Sequence, residues 1–128
     1  MRPHTTILIV EDEPGVRDFL AEALRFHGYQ AIAVATVPEA DAIRQRICSG
    51  GIDLVIANIN LTPDLAAREG YTLAQRWRAQ EPTLPVILIS GDSSLRALPE
   101  IQAGAVRFLA KPLRLEPLIQ AVREALGR

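Results

Sequence analysis

The stretch TTILIVEDEP, residues 5–14, decides the fold of this chain of 128 residues. Its apolar, β-branched first part is typical of a strand that is buried on both faces of a parallel sheet. Pro14 suits the first turn of a helix, and Gly28 supplies a stop after apolar residues that recur at helical spacing. The stretch therefore predicts a strand over 5–10 and a helix over about 14–27.

The same alternation of strand and helix patterns continues along the rest of the chain. The predicted later strands are 29–35, 52–57, 85–90 and 105–110, and the predicted later helices are 38–48, 71–80 and 116–126. Strands separated by helices indicate a parallel sheet that is covered on both faces. The length fits one domain over residues 1–128.

Composition and charge limit the kinds of partner. The net charge of -1 offers no positive footprint for nucleic acid or an anionic membrane. Apolar runs extend over only a few residues, far short of the roughly 18 that span a bilayer. A single Cys48 can form no internal disulfide. We therefore expect a cytoplasmic protein with no nucleic-acid partner and no membrane anchor.

Polar side chains follow four of the predicted strands, at the edge of a parallel sheet where ligands bind. They are Glu11 and Asp12 after the first strand, Asn58 and Asn60 after the third, Ser90 and Asp92 at the fourth, and Lys111 after the fifth. Lys111 is the only lysine among the 14 basic residues, and a compact ammonium fits a tight site that refuses a guanidinium. The pattern predicts one site that contains carboxylates, an amide, a hydroxyl and an ammonium.

Together these residues resemble the receiver domain of bacterial two-component response regulators, over essentially the whole chain. The resemblance implies a flavodoxin-like, three-layer α/β fold with about five helices and a five-stranded parallel sheet of order 2-1-3-4-5. It implies that Glu11, Asp12 and the backbone carbonyl of Asn60 bind Mg²⁺, that Ser90 and Lys111 contact a phosphoryl group, and that Phe108 is the switch aromatic. It implies a histidine kinase or a downstream regulator as the partner, and a homodimer stays open.

Asn58 stands where the family has its phosphoryl-accepting aspartate. An amide oxygen is a poor nucleophile because its lone pair is delocalised, whereas an acyl phosphate needs a carboxylate. The loss of a negative charge should weaken Mg²⁺ binding, and the amide nitrogen could donate to Glu11 or Asp12. We therefore expect a pseudo-receiver with no output domain, which acts by protein interaction, independently of phosphorylation and without enzymatic activity.

Several alternatives stay open at the level of sequence. Asn58 could be an inactivated relic or a residue introduced on purpose. Another carboxylate, such as Asp64 or Asp92, could accept a phosphoryl group in a Mg²⁺-dependent reaction. A flavodoxin-like small-ligand binder is a third alternative, which is disfavoured because no Gly-rich phosphate loop follows the first strand.

Two departures from the family pattern flank the site. The segment 59–69, which precedes Gly70 at the expected start of the third helix, is several residues longer than the family pattern. Pro99 falls inside 93–103, where the family has its fourth helix. A proline costs about 3 kcal/mol in a helix interior and biases the preceding residue away from helical geometry. This helix should therefore be shortened, start near Pro99, or be displaced.

Overall fold

The computed structural model describes residues 5–47 and 51–127, and in these residues five strands alternate with five α-helices. The strands are β1 Thr6–Val10, β2 Gln30–Val34, β3 Leu54–Asn58, β4 Val86–Ser90 and β5 Arg107–Ala110. The helices are α1 Pro14–Phe26, α2 Val37–Arg46, α3 Glu69–Gln80, α4 Pro99–Gln102 and α5 Leu115–Ala125, with a 3-10 helix, Ser93–Ala97, before α4. All neighbouring strands are parallel and their order is β2-β1-β3-β4-β5, which confirms the expected sheet.

The three central strands are buried along their whole length because helices cover both faces of the sheet. Helices α1 and α5 pack on one face through residues such as Leu20 and Leu118. The other face is covered by α2, α3 and the segment between β4 and β5, around a core that includes Trp77. None of the described helices has the length and the apolar character needed to cross a bilayer.

The predicted elements are confirmed, with ends that shift by no more than two residues within the described part of the chain. Asn58 is the last residue of β3 rather than the first residue after it. The predicted end of the second helix at Cys48 lies outside the described residues. Trp77, which shares a helix face with Leu73, is 1% exposed, as a core residue should be.

The segment around Pro99 is shortened as the proline predicts. The chain forms a 3-10 helix, leaves helical geometry at Leu98 (φ -58°, ψ 141°), and begins the four-residue helix α4 at Pro99. Because a proline ring disfavours the helical region for the preceding residue, one continuous helix through this position is disfavoured. The break separates the two short helices at Leu98.

Gly70 lets the first turn of α3 lie directly against the end of β3. A Cβ atom at this position would stand 1.9 Å from the backbone oxygen of Asn58. The Gly70 amide also donates a hydrogen bond to the carbonyl of Ile59, at 2.9 Å. Only a residue without a side chain permits this approach, so Gly70 fixes the distance between α3 and the site at the end of β3.

Gly70→Ala should therefore destabilise the protein by about 1–3 kcal/mol, because the new methyl group meets backbone atoms that cannot turn aside. Chemical denaturation would measure the change in the free energy of unfolding. Gly15→Ala is the matched control, because a Cβ at Gly15 in α1 meets nothing within 4 Å and alanine favours a helix. Equal stabilities of the two variants would contradict the account of this contact.

Candidate functional site

The carboxyl ends of β1, β3, β4 and β5 surround an open cavity of about 500 Å³. The residues from the sequence prediction that line it are Asp12, Asn58, Asn60, Ser90, Asp92 and Lys111. Glu11 is 0% exposed and contacts Asn58 and Lys111 of this group. The structure thus brings together the side chains that the sequence places at the strand ends. Phe108, the implied switch aromatic, lies in the core instead.

The side-chain amide of Asn58 bridges the two acidic residues that follow β1. Its nitrogen Nδ2 donates to Oε2 of Glu11 at 3.0 Å and to Oδ1 of Asp12 at 3.1 Å. The sequence predicted a bond to one of these carboxylates, and the structure shows bonds to both. A primary amide has two N–H groups, so both donors of this amide have a carboxylate partner.

Glu11 carries a carboxylate in a fully buried position. Its Oε2 accepts a second hydrogen bond from the backbone amide of Glu13 at 3.2 Å, and its Oε1 lies 3.0 Å from Nζ of Lys111. The latter contact is an ion pair rather than a well-directed hydrogen bond. Burial raises the pKa of Glu11, and the contact with Lys111 opposes the rise. The charged form therefore depends on its neighbours.

Lys111 is held by two glutamates. Its ammonium lies 2.6 Å from Oε1 of Glu13 and 3.0 Å from Oε1 of Glu11, and its side chain is 15% exposed. Its backbone amide donates to the carbonyl of Ser90 at 2.9 Å, and the bond to Pro112 is cis. Burial lowers the pKa of Lys111, but the contacts with Glu13 and Glu11 outweigh this effect and raise the pKa above its ordinary value.

Glu13 was not among the predicted site residues. It is the third acidic residue in a row after β1, and that run is the signal from which its contact with the only lysine could have been suspected. The contact joins the ammonium to the N-cap residue of α1.

Ser90 and Asp92 form a turn at the end of β4. The hydroxyl oxygen of Ser90, which is buried, accepts a hydrogen bond from the backbone amide of Asp92 at 3.0 Å. Oδ1 of Asp92 accepts from the amide of Ser94 at 3.0 Å and from its hydroxyl at 2.6 Å, so Asp92 caps the 3-10 helix. The hydrogen bonds from Ser94 hold the pKa of Asp92 below its usual value.

The long segment 59–69 is organised by its own hydrogen bonds. Nδ2 of Asn60 donates to the carbonyl of Leu65 at 3.3 Å, and Oδ1 of Asp64 accepts from the amide of Ala66 at 3.1 Å. Glu69 accepts from the amide of Leu61 at 3.1 Å and from the hydroxyl of Thr62. Asp64 is exposed and does not line the cavity, so the structure does not bring this alternative acceptor into the site.

Arg68 is a second cavity residue that the sequence did not predict. It adopts a left-handed conformation (φ 46°, ψ 53°) immediately before α3 and lines the cavity. This conformation is uncommon for a residue other than glycine, and no spacing pattern in the sequence indicates it.

The donor set fits Mg²⁺ only in part. Mg²⁺ requires oxygen ligands in near-octahedral geometry, whereas the Asn58 amide directs N–H groups at the two carboxylates that would bind the ion. Among residues 5–47 and 51–127, no group of three or more His, Cys, Asp or Glu side chains is arranged to hold a metal. The carboxylates are occupied by donors instead.

Comparison with known proteins identifies the family of the chain. The chain matches the family model for the response regulator receiver domain over residues 7–123. It is 31% identical over 123 residues to the C4-dicarboxylate transport transcriptional regulatory protein DctD of Pseudomonas aeruginosa, covering 95% of this chain and 25% of that protein. It is 33% identical over 125 residues to the sensory transduction protein RegX3 of Mycolicibacterium smegmatis, covering 97% of this chain and 51% of that protein.

Solved structures give the same result for the fold. A response regulator receiver domain protein from Clostridium thermocellum superposes with a TM-score of 0.82 at 25% identity, covering 97% of this chain and 95% of that chain. The response regulator TrrA of Thermotoga maritima, in complex with Mg(2+)-BeF, superposes with a TM-score of 0.78 at 27% identity, covering 95% and 99%. The chain spans about a quarter to a half of the length of the curated relatives that it matches.

Lys111→Met should destabilise the protein by about 1–3 kcal/mol, because it leaves the buried carboxylate of Glu11 without its cation. The free energy of unfolding from chemical denaturation measures the effect. Arg123→Met is the matched control, because Arg123 is exposed on α5 and such a change is usually within about 0.5 kcal/mol. A Lys111→Met variant as stable as the parent chain would show that the ion pair contributes no net stability.

Proposed function

This chain belongs to the response regulator receiver domain family, and we propose that it is a pseudo-receiver that signals through protein contacts without phosphoryl transfer to residue 58. Receiver domains act in two-component signal transduction and interact with histidine kinases and downstream effectors. The observation that supports the proposal is the amide of Asn58, which occupies the acceptor position and donates to Glu11 and Asp12.

The amide changes both the reactivity and the charge of the site. Its oxygen is too weak a nucleophile for an acyl phosphate, and its two donors stabilise the acidic pair without a cation. Glu11, Asp12 and the backbone carbonyl of Asn60 are the residues that would hold Mg²⁺, and the ion would neutralise charge on a phosphoryl group. With N–H donors on both carboxylates we expect this chain to bind Mg²⁺ weakly.

The alternative acceptors have other contacts. Asp64 caps a turn inside the segment 59–69, and Asp92 caps the 3-10 helix through Ser94. Neither contact favours phosphoryl transfer to Asp64 or Asp92. The proposed function is therefore signalling through protein contacts. This proposal carries further predictions: the lack of enzymatic activity, the cytoplasmic location, the independence from nucleic acid and the folding of residues 1–128 as one domain. A homodimer stays an open alternative.

Asn58→Asp should restore Mg²⁺-dependent phosphorylation by acetyl phosphate, because the acidic pair, Ser90 and Lys111 keep their places around the new carboxylate. Intact-mass spectrometry with and without donor and Mg²⁺ would detect the phosphoryl adduct. The matched control is Asn60→Asp, which makes the same change of charge in the same cavity and should remain unmodified.

One outcome would contradict the proposal, and a second would contradict the role that it gives to Asn58. An adduct on the parent chain would show that another residue accepts the phosphoryl group. An Asn58→Asp variant that stays unmodified with donor and Mg²⁺ would show that the amide is not the only feature that blocks the reaction.

A further inference from the structure

Phe108 is buried under an arginine from the segment that Pro99 shortens. The ring is 9% exposed and belongs to the same core cluster as Leu88 and Leu95. The guanidinium carbon of Arg96 lies 4.7 Å from the centre of the ring, which is within cation–π distance. Since Arg96 itself is exposed, the ring has apolar residues on the core side and a cation on the side of the solvent.

The backbone that carries Arg96 is fixed by three contacts. Asp92 caps the first turn of the 3-10 helix, and the side chain of Leu95 is buried in the core. The carbonyl of Arg96 accepts a hydrogen bond from Nε2 of Gln102 at 3.0 Å. The guanidinium therefore extends over the ring from a rigid turn, so the conformational entropy lost in forming the contact is that of the Arg96 side chain and not of its backbone.

Helix α4 is tied to α3 on the other side of the segment. The carboxylate of Glu100 accepts hydrogen bonds from the hydroxyl of Tyr71 and from Nε2 of Gln75, the latter at 2.6 Å. Both partners lie on α3. The two short helices on either side of Leu98 are thus anchored separately, one by its cap and core residue and the other by Glu100.

We propose that Arg96 acts as a clamp that keeps Phe108 buried and holds the surface formed by the 3-10 helix, α4 and β5 in one conformation. For the ring to turn outward, the guanidinium would have to leave it and the core would have to accept a void beside Leu88. The clamp rests on this geometry alone. The clamp implies that a partner meets the same surface whether or not the cavity holds a metal or a phosphoryl group. This consequence rests on the proposed function.

The test uses phenylalanine labelled with ¹³C in the ring, because the chain has only 3 phenylalanines. Resonances of Phe108 are compared between the parent chain, Arg96→Ala and Arg96→Gln in the presence of a soluble gadolinium relaxation agent. Arg107→Ala is the matched control, because Arg107 is an exposed arginine next to Phe108 in β5 that pairs with Glu124 instead of a ring.

In the parent chain the Phe108 resonances should be narrow and protected from the relaxation agent. Loss of an exposed cation–π contact shifts a conformational equilibrium by roughly two- to fivefold. The share of the Phe108 relaxation that comes from the outward-turned ring should therefore rise by about that factor in both Arg96 variants. Phe19, which packs on the opposite face of the sheet, and the whole Arg107→Ala variant should match the parent chain.

Unchanged relaxation of Phe108 in Arg96→Ala and Arg96→Gln would overturn the clamp, as would an equal rise in Arg107→Ala. Arg96→Gln keeps most of the stem and removes the charge, so it decides the case if the alanine variant perturbs the turn. The readout involves neither Mg²⁺ nor a phosphoryl donor, so failure of the clamp is distinguishable from failure of the pseudo-receiver proposal.

Discussion

The domain depends on how a buried carboxylate is compensated at the end of β1, one of the three central strands. Glu11 follows a strand that lies between two others and is covered on both faces, so its side chain enters the interior. A charge in such a place requires close partners. The Asn58 amide and the Lys111 ammonium provide them from β3 and from the loop after β5, and the carboxyl edge of the sheet is thereby joined across its width.

Because these partners compensate the charge of Glu11, the site needs no metal or phosphoryl group to be electrostatically stable. In a site with an aspartate at position 58, a third carboxylate would face the acidic pair, and a cation would relieve the repulsion. Here the uncharged amide of Asn58 stands in place of the third carboxylate, so no cation is needed to relieve this repulsion. The ring of Phe108, which Arg96 covers on the α3 side of the sheet, fits a domain that keeps one conformation.

The sequence predicted the features that depend on periodicity and on strand ends. The covered parallel sheet and the meeting of Asn58 with the acidic pair belong to this class. The break follows from Pro99, and the strand order was implied by the resemblance to receiver domains. It did not predict the ion pair of Glu13, the left-handed Arg68 or the contact of Arg96 with a ring. These depend on rotamers and on backbone angles in irregular segments, which are fixed only when separate parts of the chain pack together.

The central claim is that the amide of Asn58 stabilises the acidic pair. The most direct measurement is the free energy of unfolding of the parent chain and of Asn58→Asp without metal, from about pH 4 to pH 8, with Asn60→Asp as the control. Burial and like charges raise the folded-state pKa of a carboxylate, so its destabilising effect appears as the pH rises through that pKa. Asn58→Asp should be less stable by about 1–3 kcal/mol at pH 8, with a difference that shrinks toward pH 4. Equal stability at pH 8, or a difference that does not change with pH, would contradict the claim.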